Sequence, residues 1–111
     1  MTPGLFAPAA QRELRAAVTR IAKDNEAAAE ALLQAAMQGA RRIAARPLLG
    51  RMRTELLPAP YRFWRVAGFP YLLVYNAARR PPRVLRVVHM ARDLGPLLAD
   101  LVRPEDELPV R

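Results

Sequence analysis

The 111-residue sequence predicts an α+β fold: a helical hairpin packed on a small antiparallel sheet, β-α-α-β-β-β, with a short C-terminal helix. Three observations carry that reading. Residues 61–66, Tyr71–Asn76 and residues 83–89 are short β-branched and aromatic runs. They are separated by Ala67-Gly68 and by Arg79-Arg80-Pro81-Pro82, and runs so spaced by turn residues form an antiparallel meander. Ahead of them, two stretches carry apolar residues at helical spacing, broken at Lys23-Asp24-Asn25. Behind them, Asp93 offers an N-cap to a last helix. The length suits one core and not two.

Taken in order, residues 4–7 read as a short first strand, and Pro8 suits the first turn of a helix, where its missing N–H costs nothing. From Ala9, the residues Leu14, Val18 and Ile21 recur at helical spacing with Ala17 and Ala22. Arg12, Arg15, Arg20 and Lys23 fall mainly on other faces. Asp24 or Asn25 caps a second helix whose first turn carries Glu26 at the favourable end of the dipole. That helix is alanine-rich (Ala28, Leu32, Leu33, Ala36, Met37, Ala40, Ile43, Ala44), so it can approach its neighbour closely. It ends before Arg46-Pro47, because a residue preceding proline is pushed out of the α region.

Residues 48–60, with Gly50, Pro58 and Pro60, form a loop crossing to the sheet. Tyr71 to Tyr75 is apolar without alternation, which suits a central strand covered on both sides. Residues 61–66 mix aromatic and polar side chains and read as half exposed. In the third run Arg86 interrupts the apolar pattern, and period alone leaves its face open. The last helix is expected over 94–102, so a single domain spans residues 1–103, followed by a mobile, proline-punctuated tail at 104–111.

Composition removes several functions. No apolar run approaches the ~18 residues of a membrane span, and the N-terminus lacks the basic start and long apolar middle of a secretory signal. With no cysteine, neither disulfides nor thiolate metal sites contribute. A cytoplasmic protein is expected. One histidine and no cysteine do not supply the usual metal ligands, and the five glycines are isolated rather than set in a phosphate-cradling loop. Neither cofactor nor metal is expected. Serine and cysteine nucleophiles are excluded because the chain has neither, and Thr2, Thr19 and Thr54 have no base beside them.

Charge is the positive clue. A formal net charge of +8 comes from 17 arginines and one lysine against ten acids. Between Ala31 and Arg92 there are twelve arginines and a single acid, Glu55; the other acids collect near the start of the helices and in the tail. Such a one-sided field suits a polyanionic or acidic partner. Glu55, Arg62, Arg65, Arg86, His89 and Arg92 are the groups a meander sheet could bring together for acid–base or electrostatic work. Phosphoryl transfer in RNA needs a base, a cation for the phosphorane and an acid for the leaving oxygen. The plainer reading is that His89 closes a strand and bonds a turn while Arg92 and Asp93 pair locally. Trp64 and Phe63, with Phe69, Tyr71 and Tyr75, offer stacking surfaces, although Tyr71 and Tyr75 read as core.

The run Tyr61-Arg62-x-x-Arg65-Val66-x-Gly68-Phe69-Pro70-Tyr71-Leu72-x-Val74-Tyr75, then Val84-Leu85-Arg86-Val87-Val88-His89-x-x-Arg92-Asp93-Leu94, resembles the ParE branch of the RelE/ParE toxin superfamily. Pro8-Ala9-Ala10, Ile21-Ala22-x-Asp24-Asn25, Ala28-Ala29 and Pro47-x-x-Gly50-Arg51-x-Arg53-x-Glu55-Leu56 agree with it, so the likeness runs from about Phe6 to Leu98. The resemblance implies the toxin of a type II toxin–antitoxin module, held as a hetero-oligomer by a cognate antitoxin. ParE-type members poison DNA gyrase without catalysing anything. RelE-type members instead act on the ribosome as mRNA endoribonucleases.

The near-absence of lysine, and a histidine that leads into a helix rather than a C-terminal tail, favour the gyrase-directed branch. On that reading there are no catalytic residues, and Arg62, Trp64, Arg65, Arg86 and Arg92 contact the target. On the nuclease alternative Glu55, Arg62, Arg65 and His89 carry the chemistry.

Overall fold

The computed structural model describes residues 3–101. Helix α1 (Pro8–Ala22) and helix α2 (Glu26–Ala45) form a hairpin; strands β1 (Tyr61–Arg65), β2 (Tyr71–Asn76) and β3 (Val84–His89) follow, then a short helix α3 (Leu94–Leu98). The α+β arrangement expected from the sequence is the one observed. Asn25 turns out to be the cap of α2, its side-chain oxygen accepting from the Ala28 N–H at 3.0 Å. Helix α2 ends at Ala45, just ahead of Arg46-Pro47.

The sheet is antiparallel in the order β1-β2-β3. Phe63 faces Val74, and Leu73 faces Val87; the β2–β3 register shifts by one between Val74 and Tyr75. The turn between β1 and β2 closes with Phe69 N–H donating to Val66 O, and Gly68 supplies the φ of 83° that this turn requires. Every residue of β2 from Tyr71 to Tyr75 is buried, because α1 and α2 cover one face of the sheet and the 48–60 loop with α3 covers part of the other.

Two elements differ from expectation. Residues 4–7 do not make a full strand: Pro3–Leu5 form a 3-10 turn, and only Phe6 pairs with the sheet, through a parallel bridge to Val84. Ala7 donates to Val84 O at 2.8 Å, and helix α1 begins at Pro8, so the ladder ends after one bridge. The last helix stops at Leu98 and tightens into a 3-10 turn over Ala99–Leu101. Asp93 occupies its N-cap position without a side-chain hydrogen bond. The 104–111 tail lies outside the described residues.

The two sheet faces are built differently. On the helical side Leu14, Leu32, Ile43, Leu73 and Tyr75 pack together with almost no exposure. The Tyr75 hydroxyl accepts from Gly50 N–H at 2.8 Å and donates to Pro47 O at 2.6 Å, fixing the start of the crossing loop against the sheet. The Arg20 guanidinium reaches the Tyr71 hydroxyl at 2.8 Å. On the other side Leu57, Tyr61, Phe63, Leu72, Val74 and Val88 pack under Leu94 and Leu98.

Candidate functional site

Between the crossing loop and the turn after β3 the second face is only partly covered, and an open cleft of about 430 Å³ remains. Its floor is apolar, made by Phe63 and Leu72, which face the same side from β1 and β2. Met52 and Met90 stand at the rim and are 43% and 40% exposed, two of the three large exposed hydrophobic residues among those described. Arg51, Arg53, Arg65 and Glu55 complete the lining. The loop is held there by a backbone bridge in which Arg51 N–H donates to Phe63 O and Phe63 N–H donates to Arg51 O, at 2.8 and 2.7 Å. This bridge fixes the loop backbone so that Arg51, Met52 and Arg53 reach the rim. The cleft thus sets an apolar floor inside a rim of three arginines and one glutamate.

Glu55 is exposed and paired to Arg53 at 3.1 Å. Its carboxyl is held below the ordinary glutamate range, first by a hydrogen bond from its own backbone N–H and then by the Arg53 guanidinium. It is therefore ionised at neutral pH and not a proton donor.

The structure disperses the residues proposed from sequence. Arg62 and Trp64 belong to the helix-covered side. Arg62 donates to Gly50 O at 2.8 Å and Leu48 O at 3.3 Å, so it staples the crossing loop. Trp64 lies against α2 at Gly39, where a Cβ would come within 2.9 Å of its Nε1. His89 is on the same side, its ring edge-on to Tyr71 at 5.0 Å, with Nδ1 accepting from Ala91 N–H at 3.0 Å.

Arg86 is the most committed of all. Its guanidinium grips Glu13 of α1 at 2.7 to 3.0 Å, donates to Leu97 O at 2.9 Å and reaches Asp100 at 3.3 Å. Only 12% of its side chain is exposed, and Glu13 raises its pKa. Of the five expected target-binding residues, Arg65 and Arg92 remain exposed, Arg65 with a long 3.4 Å contact to Phe69 O.

The four nuclease candidates do not converge: Glu55 and Arg65 line the cleft, whereas Arg62 and His89 sit across the sheet and toward its two ends. His89 does close a strand and accept from a turn, as the plainer reading had it, but Arg92 and Asp93 form no ion pair among the described residues.

Sequence reasoning missed Glu13, Met52 and Met90, and did not single out Arg51 and Arg53 as site residues. Glu13 was findable as the lone acid of α1. The methionines carried no local signal, since their exposure depends on where the loop docks.

Geometry defines a small α+β domain with an open cleft that joins an apolar floor to a charged rim. Residues 5–94 match the family described as "ParE toxin of type II toxin-antitoxin system, parDE". The chain belongs to that family, and membership implies an antitoxin partner. No curated protein matches the chain. Among the described residues no helix is long and apolar enough to cross a membrane.

Proposed function

We propose that this chain is a growth-arresting toxin that acts by binding DNA gyrase, without catalysis, and that its cognate antitoxin silences it by occupying the cleft of Phe63, Leu72, Met52 and Met90. The observation that carries the non-catalytic reading is the dispersal of the acid–base groups. Cleaving RNA needs a base, a cation and an acid around one phosphate, and here Glu55 and His89 lie on opposite sides of the sheet. Arg65 and Arg92, joined by Arg51, are the exposed cations offered to the target. An antitoxin segment that folds on binding would set acidic groups against these arginines and apolar ones on the floor. The complex is then a cytoplasmic hetero-oligomer.

The test is expression of the chain alone and together with its neighbouring antitoxin gene. The expected outcome is growth arrest with an SOS response and stabilised double-strand breaks, relieved by the antitoxin. Codon-positioned cuts in translated messages, abolished by His89→Ala and Arg62→Ala while supercoiling is untouched, would overturn it in favour of the ribosome-dependent nuclease.

A further inference from the structure

Helix α1 presents two faces of opposite character. Ala10, Leu14 and Ala17 are buried against α2 and β3. On the far side Arg12, Arg15, Thr19, Arg20 and Lys23 are all exposed and, with Ala16, line one shallow surface depression of about 480 Å³. At about 100° per residue, Arg12, Thr19 and Lys23 fall within roughly 40° of one another, with Arg15 and Arg20 flanking them. Arg12 to Lys23 covers eleven residue steps, about 16 Å along the axis. Among the described residues no ion pair engages any of the four cations; only Arg20 has a side-chain partner, the Tyr71 hydroxyl. The single acid of α1, Glu13, is withdrawn from this face by Arg86 and by Val87 N–H, to which it is bonded at 2.7 to 2.9 Å.

We infer that this stripe is a binding surface for the sugar–phosphate backbone of double-stranded DNA. The inference rests on the gyrase reading, since gyrase grips duplex DNA, and it gives the toxin a second contact beside the enzyme. The chemistry of the stripe selects among polyanions. It has four cations and one hydroxyl but only Ala16 as an apolar member, whereas a folding acidic peptide needs aromatic or aliphatic anchors of the kind the cleft supplies. It carries no aromatic residue, so it cannot stack the bases of a single strand. Cations and hydroxyls without base-reading groups suit phosphates in a regular duplex. A span of about 16 Å exceeds the width of the major groove, about 12 Å, so the stripe reaches both phosphate walls.

The test is fluorescence anisotropy of the full-length chain with a 30-bp DNA duplex, titrated across salt concentration. Four phosphate contacts predict a slope of log K against log salt near −3.6, from about 0.9 per contact. The Arg12→Ala/Arg15→Ala/Lys23→Ala triple variant should lower the slope by about 2.7. The triple variant Arg41→Ala/Arg46→Ala/Arg79→Ala, which removes the same charge elsewhere, should leave most of it. Circular dichroism checks that both remain folded, as expected for substitutions at six exposed positions.

Equal losses in the two variants would mean that only net charge acts, and would overturn the proposal. Tighter binding of a single-stranded RNA of equal length, or of a 15-residue acidic peptide, would overturn it in favour of those partners. Gyrase poisoning that persists in the α1 variant alongside lost duplex binding would leave the enzyme reading intact and confine the stripe to DNA. Duplex binding without any gyrase effect would remove that reading alone.

Discussion

The two faces of the sheet solve different problems with similar residues. On the helical face Arg62 holds two backbone carbonyls, and at the β3 edge Arg86 holds a carboxylate shared with a strand N–H. On the cleft face Arg51 and Arg65 are exposed beside two half-exposed methionines. The first face spends its polar groups on intramolecular bonds and is closed; the second withholds them and is open. An arginine-rich composition therefore predicts a partner only for the arginines that the fold has not already engaged. The more engaged arginines thus lie on the helical face and at the β3 edge and the more exposed ones on the cleft face, with β2 buried between the two faces.

That separation can be tested by paired substitutions. The largest contrast is Leu73→Ala against Met52→Ala. Leu73 is fully buried under the helices, and its truncation should cost about 2–5 kcal/mol in chemical denaturation. Met52 is 43% exposed, and the same truncation should cost less than about 0.5 kcal/mol. Next is Arg86→Ala, which leaves the Glu13 carboxylate beside the sheet edge without its cation. A loss of about 2–3 kcal/mol is expected, below the 3–5 of a wholly buried pair because the Glu13 side chain keeps 27% exposure. Arg65→Ala should change stability by less than about 0.5 kcal/mol. A smaller effect comes from Gly39→Ala, whose added methyl meets Trp64 and the Leu73 side chain at 2.9 to 3.1 Å. About 1 kcal/mol is expected, since Trp64 is only half buried and can shift.

The subtlest contrast is in titration. Burial pushes the Tyr75 phenol above its usual value, while Gly50 N–H and Arg62 act in the opposite sense. A folded-state pKa above the unfolded value means stability present below pH about 10 and lost as pH rises through the folded pKa. Absorbance near 295 nm, about the ionised-phenol band, should show a late-titrating component, and Tyr75→Phe should remove it. Glu55, by contrast, should titrate below the normal range in a carbon-detected NMR series and move upward in Arg53→Ala.

Much of the fold was legible because local signals and tertiary packing agreed. A cap at Asp24 or Asn25, the stop before Pro47, the Gly68 turn and the continuous apolar run of β2 each follow from local sequence. The leading strand was overestimated because helix α1 begins at Pro8 and leaves room for a single bridge, at Phe6. The site was far less legible. Which face Arg86 takes depends on a one-residue register shift between β2 and β3, and whether Arg62 is free depends on where the 48–60 loop docks. Both are long-range facts that no short window contains.

On the function proposed above, the open face, and not a catalytic cluster, carries activity. Purified gyrase with supercoiled plasmid and ATP tests it most directly, comparing the native chain with an Arg51→Ala/Arg53→Ala/Arg65→Ala variant of equal thermal stability. The native chain should accumulate linear DNA at micromolar concentration, and the variant should need at least about tenfold more, the equivalent of about 1.4 kcal/mol of binding. Cleavage and supercoiling left unchanged by a native chain that still arrests growth would rule out gyrase as its target.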